Sequence, residues 1–208
     1  MPLPKEINEL VTGEFSHGAI TSICHAPFNC IWFSIFPVCA TFSQRRRIQH
    51  ITKEPYICCG GLWPCCGFNK PMPDSFLLVE TCMCPNATLA ANRFLMQTRF
   101  NKRNSGADKV LGPLCHPCVG LQCKVARICY DFTAEQEQMA KSIICVCPLS
   151  HCQVGAELNV IEAGGRTYKG PSAALVNALP VHFANCGVLA GVPAAAPVQM
   201  KPISHEEV

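Results

Sequence analysis

Charge is what this sequence has least of. Asp, Glu, Lys and Arg make up 15% of its 208 residues, against roughly 25% in a typical soluble domain. The shortage excludes a charge-rich disordered chain and a coiled coil laced with ion pairs. With 17 basic and 14 acidic residues the formal net charge is +3, too little for an electrostatic footprint on nucleic acid. The sequence also lacks a phosphate loop, a dinucleotide fingerprint, a nucleophile elbow and an HExxH motif. Its 17 Cys and 7 His make a Cys–His pairing easy by composition alone, so that pairing carries no catalytic meaning. The expectation is a protein that is not an enzyme. The opening Met1-Pro2-Leu3-Pro4-Lys5-Glu6 has no apolar signal core. That points to the cytoplasmic side rather than secretion, where thiols stay reduced and stable disulfides are rare.

Cysteine is in excess, at about 8% of the chain, close to the level of disulfide or metal scaffolds. Reduced thiols are buried as small hydrophobes, bind metal or carry lipid. Metal ligands usually sit two to four residues apart so that both reach one ion. The best-placed candidates are the doublets Cys58-Cys59 and Cys65-Cys66, which flank Gly60-Gly61-Leu62-Trp63-Pro64, and the pair Cys82-Met83-Cys84. Zinc is the ion this set suits. Adjacent side chains diverge, so one thiol from each doublet is expected to serve. Cys115-His116-Pro117-Cys118, Cys145-Val146-Cys147, Cys24-His25 and His151-Cys152 are further candidates. The competing reading, thiols packed in a helical core, stays open.

Periodicity predicts an all-α fold, a small Cys-rich bundle of about four helices with a Gly/Pro/Cys loop and extended arms. Residues 1–15 read as an N-terminal arm, 16–162 as the helical domain and 163–208 as an Ala/Pro-rich tail. Residues 16–43 hold no charged side chain, and Phe28, Trp32, Ile35, Cys39 and Phe42 recur at helical steps. A segment apolar nearly all round is buried in protein or in lipid. Its dense core is shorter than the roughly 20 residues a spanning helix needs, which leaves a core helix or a re-entrant segment. Arg45-Arg46-Arg47 then offers a flank for anionic lipid or an acidic protein surface. A short helix is expected over 75–84 and a second from about Asn86, after Pro85. Leu111 to Ile128 and Thr133 to Val146 carry further helical patterns, the latter resuming through Val154, Leu158 and Ile161 until Gly164-Gly165. Pro171, Pro180, Pro193, Pro197 and Pro202 forbid long helices in the tail, which orders only as a strap on a partner.

The stretch Cys24-His25-Ala26-Pro27-Phe28-Asn29-Cys30-Ile31-Trp32-Phe33-Ser34-Ile35-Phe36-Pro37-Val38-Cys39, with Tyr56-Ile57-Cys58-Cys59-Gly60-Gly61 and Pro64-Cys65-Cys66, resembles the placenta-specific-eight-like cysteine-rich family. That group includes ponzin, cornifelin and the plant cadmium-resistance proteins. Glu80-Thr81-Cys82-Met83-Cys84-Pro85 and the residues from Asn92 to Asn101 are similar to its longer algal and flagellate variant. The resemblance implies a Cys-rich helical module, often membrane-linked, associated with metal handling and growth control rather than a defined catalysis. The Cys-Pro-Cys element of short members is replaced here by Phe36-Pro37-Val38-Cys39, one thiol fewer. Two functions follow as expectations. The first is a non-enzymatic structural module docking into a large protein assembly, with a ciliary, microtubule or other cytoskeletal lattice suggested by the flagellate relatives. The second is a membrane-associated protein that binds or transports zinc or cadmium.

Overall fold

The computed structural model describes residues 9–18, 20–61, 70–103, 148–164, 168, 170–179 and 183. These residues contain seven α-helices, one 3-10 turn and a two-stranded parallel ribbon, an all-α architecture as the periodicity predicts. In chain order they are β1 Gly13–Glu14, α1 Thr21–His25, α2 Pro27–Ile35, α3 Pro37–Thr52, the turn Cys58–Gly61, α4 Ser75–Met83, α5 Pro85–Arg99, β2 Lys102–Arg103, α6 Pro148–Ala163 and α7 Ala173–Ala178. The helical patterns of residues 111–146 lie outside the described residues.

Proline sets the helix count above the expected four. α2, α3, α5 and α6 all open on Pro, at a position where the missing N–H costs nothing. The residue before each of the first three leaves the helical region, with φ −140° at Ala26, −130° at Phe36 and −138° at Cys84, because the proline ring crowds it. The apolar segment read as one helix is therefore broken at Phe36. α3 stops at Lys53, which takes the left-handed conformation (φ 58°) common at helix C-termini.

α5 is the centre. Every residue from Ala87 to Arg99 is buried, with α3, α4, α6 and the 3-10 turn packed around it. One apolar cluster joins Ala90, Ala91 and Phe94 to Val11, Leu175 and Phe183. Another joins Leu95 and Met96 to Phe15, Ile48 and three α6 residues, Val154, Leu158 and Ile161. A helix buried all round must pair its polar groups. Asn92 Nδ2 donates to the Thr41 carbonyl at 2.9 Å, Arg93 Nη1 to Gln153 Oε1 at 2.8 Å, and Arg99 Nε to Glu54 Oε2 at 3.0 Å. The Arg93 and Arg99 guanidiniums also lie over the Phe15 and Phe183 rings, at 5.1 and 4.3 Å, as cation–π contacts. The basic side chains Arg93 and Arg99 are thus turned inward.

Both arms contribute to the core where they are described. β1 pairs in parallel with β2, Gly13 opposite Lys102. Glu157 of α6 accepts from Ser16 N at 2.6 Å and from Lys102 Nζ at 2.6 Å, which ties that ribbon to the bundle. At the other end, Ser172 caps α7 by accepting from Leu175 N at 3.3 Å, and Leu175 is fully buried. α6 lies close enough to α2 and α3 that a Cβ at Gly155 would meet Asn29 Nδ2 at 2.7 Å. A disulfide joins Cys30 of α2 to Cys152 of α6, 122 residues apart. The expectation of reduced thiols fails at this pair. Cys24, Cys39, Cys58, Cys59, Cys82 and Cys84 are free.

Beside that disulfide, the His151 ring lies 3.8 Å from that of Phe33 with 1% of the residue exposed. Burial pushes the imidazole from 6.5 down to about 3, because a charge there would leave water without a counter-ion. The folded state then holds His151 neutral while the unfolded chain takes up a proton near pH 6.5. Stability is full above that pH and falls by about 1.4 kcal/mol per unit as pH drops toward the folded value. Urea unfolding measured from about pH 7 to about pH 4 is expected to show this loss, and His151→Gln to flatten it.

Candidate thiol–carboxylate centre

The turn Cys58–Gly61 carries an unusual backbone. Cys59, Gly60 and Gly61 all have positive φ, at 50°, 62° and 77°. Gly adopts this region freely, whereas a residue with a Cβ is held there against a steric cost. The left-handed step at Cys59 overturns the expectation that neighbouring thiols diverge. The sulfurs of Cys58 and Cys59 converge to 3.9 Å. Gly60 also lets the turn press on the bundle, since a Cβ there would lie 3.1 Å from Arg45 Nη1.

Glu80 of α4 closes the centre. Its carboxylate accepts from Cys59 N at 2.7 Å and from Tyr56 Oη at 2.5 Å, both through Oε2. Its Oε1 faces Arg45 Nη2 of α3 at 3.4 Å. The Arg45 and Glu80 side chains are 2% and 4% exposed. Two charges so deeply buried cost several kcal/mol each unless paired and hydrogen-bonded, and here two further donors complete the carboxylate. The Cys58 and Cys59 sulfurs and a Glu80 oxygen all lie within 4.8 Å of one another.

The two thiols are unequal. A hydrogen bond from the Cys59 thiol lowers the pKa of Cys58, which is half-buried. The same bond and burial push Cys59 well up. Burial, with the Glu80 bond second, also raises Tyr56 and keeps it a donor. Of the two thiols, Cys58 is thus the easier to ionise and Cys59 the harder.

Of the six metal candidates read from spacing, the centre unites Cys58 and Cys59. Cys82 and Cys84 are exposed on the far end of α4. Cys84 is raised first by partial burial and then by the negative charge of Glu80 and Cys58, so it borders the centre electrostatically. Cys65 and Cys66 lie outside the described residues. Glu80 was missed, although it is the one charged residue in the α4 sequence SFLLVETCM. A lone carboxylate in an apolar helix was the signal available, and Arg45 at the end of a charge-free stretch was its counterpart.

A second feature lies on the outer faces of two helices. α4 is inverted: Glu80 and Thr81 are buried while Leu78, Val79 and Met83 face out. α2 is apolar yet has no buried residue, and Phe28 is 83% exposed. The Phe28–Trp32–Ile35 seam, expected to enter the core or lipid, lies on the surface of the described chain. The arginine triplet that was expected to grip an anionic surface is engaged internally. Arg45 pairs with Glu80, Arg46 with Asp74, and Arg47 with Glu162 at 2.7 Å. Among the described residues no helix is long and apolar enough to cross a membrane.

Comparison of the chain with protein-family models, curated proteins and solved structures finds no match.

Two outcomes follow from the centre. Glu80→Ala leaves Arg45 buried without its counter-charge and is expected to cost about 3–5 kcal/mol in chemical denaturation. In the wild-type chain, brief iodoacetamide labelling mapped by peptide mass spectrometry should modify Cys58 well before Cys59; equal labelling would contradict their placement.

Proposed function

We propose that this chain is a non-enzymatic docking module, seated in a larger protein assembly through the uncharged faces of α2 and α4. The observation that carries the reading is α2, an apolar helix with no buried residue. A soluble monomer rarely leaves a large apolar patch in water, and α4, although it buries Leu77, also exposes Phe76, Leu78, Val79 and Met83. Removing such a face from water stabilises an association by about 25 cal/mol per Å² of apolar area, before the entropy of ordering is subtracted. A protein partner is favoured over a lipid surface because each arginine of the Arg45–Arg47 triplet has an acidic partner within the chain, Arg45 in the interior and Arg46 and Arg47 at the surface, which weakens the cationic grip a peripheral helix uses on anionic headgroups. On the sequence resemblance alone, a ciliary or cytoskeletal lattice is the first setting to examine.

Fractionation of the native source tests this reading. Recovery in a pellet resistant to both detergent and salt supports it, and release by detergent alone sinks it in favour of membrane association. Phe28→Ser with Trp32→Ser should abolish that recovery. Because α2 has no buried residue, the same pair should shift unfolding by less than about 1 kcal/mol, the scale of surface substitutions.

A further inference from the structure

We propose that Cys58, Cys59 and Glu80 form a binding site for a soft-to-borderline divalent cation of the zinc class. The proposal is independent of the docking reading and rests on three features of the centre.

The first is distance. Two thiolates on a tetrahedral ion with metal–sulfur bonds of about 2.3 Å lie roughly 3.8 Å apart. The Cys58 and Cys59 sulfurs are already 3.9 Å apart, so both thiols would reach one ion without backbone movement. Adjacent cysteines rarely converge in this way, and the left-handed step at Cys59 (φ 50°) is what brings them together. A non-glycine residue held in that region points to a function for the conformation it imposes.

The second is charge. Arg45 and Glu80 already balance each other in a buried pair. A dication that displaces the two thiol protons to solvent adds two positive charges and creates two thiolates, so the net charge of the buried set stays at zero. A monovalent ion held by both thiolates would leave one uncompensated negative charge in the same place, so it could engage only one of them. That cost selects a dication. A carboxylate beside two thiolates suits zinc better than a purely thiophilic ion.

The third is support around the ligands. Tyr56 and Arg45 hold the Glu80 carboxylate by hydrogen bond and ion pair, and Cys59 N fixes it against the turn. Outer contacts of this kind orient metal ligands and tune their affinity. Cys58 is only half-buried, which leaves the approach to the pair open. Tyr56 and Arg45 are positioning residues here, and the three ligands come from two elements brought together by packing.

The experiment uses the full-length wild-type chain and zinc ion alone. N-ethylmaleimide labelling is followed at each cysteine by peptide mass spectrometry, with and without zinc. Labelling of Cys58 should slow by about tenfold or more, since a coordinated thiolate is withdrawn as a nucleophile; an unchanged rate at Cys58 overturns the site. Because other cysteines in the chain can also take up zinc, Cys58→Ser with Cys59→Ser is then titrated calorimetrically in buffers of different ionisation heat. The variant should bind one equivalent fewer than wild type and release two fewer protons. Equal stoichiometry in the two proteins overturns the proposal. Should the variant fail to fold, the wild-type labelling decides alone.

Discussion

The burial of one carboxylate organises the heart of this molecule. Glu80 sits inside a helix whose other side chains are uncharged, and a buried carboxylate there needs partners for its oxygens. Arg45 supplies the counter-charge from α3, Tyr56 supplies a hydroxyl from the linking segment, and Cys59 supplies a backbone N–H. These donors come from α3 and from the short segment that follows it. Satisfying them ties α4 to α3 and to the left-handed turn that follows α3. The same turn brings the two thiols together.

The same constraint explains the inverted α4. With Glu80 and Thr81 drawn inward, the helix has no choice but to direct Leu78, Val79 and Met83 outward. α5 follows a related rule. It is buried on every side although it carries Asn92, Arg93 and Arg99, and each of these has a partner at hydrogen-bond distance. The bundle thus spends much of its interior on polar pairs and leaves apolar helix faces outside. A buried polar network specifies one arrangement more sharply than apolar packing does, at some expense in stability that external cover of the apolar faces would restore.

Much of the secondary structure was legible in the sequence. The helix over 75–84, the start of α5 at Pro85 and the buried face through Val154, Leu158 and Ile161 follow from periodicity and from proline at a first helical position. Pro27 and Pro37 argue from the sequence against one straight helix, and the break at Phe36 agrees with that. Burial was harder to read than helicity. Composition assigns Phe28 and Trp32 to the inside and Arg45, Arg93 and Arg99 to the outside, and the structure reverses both. The reversal depends on pairs such as Arg45–Glu80 and Arg99–Glu54, 35 and 45 residues apart, which no local pattern encodes. For the centre, spacing located Cys58 and Cys59. The rule that neighbouring side chains diverge failed because it assumes ordinary φ at Cys59.

The link between Cys30 and Cys152 bears on how α2 presents itself. A nine-residue helix with nothing buried would fray if tethered by its ends alone, since short helices are marginal in water. A covalent strut from its first turn to α6 anchors it to the body. A rigidly mounted surface loses less freedom when it meets a complementary one than a floppy segment does. Where ambient thiols open that strut, the helix is held by its packing on α3 and α6 without a covalent tie, and the firmness of any grip it makes would follow the electron supply of its surroundings.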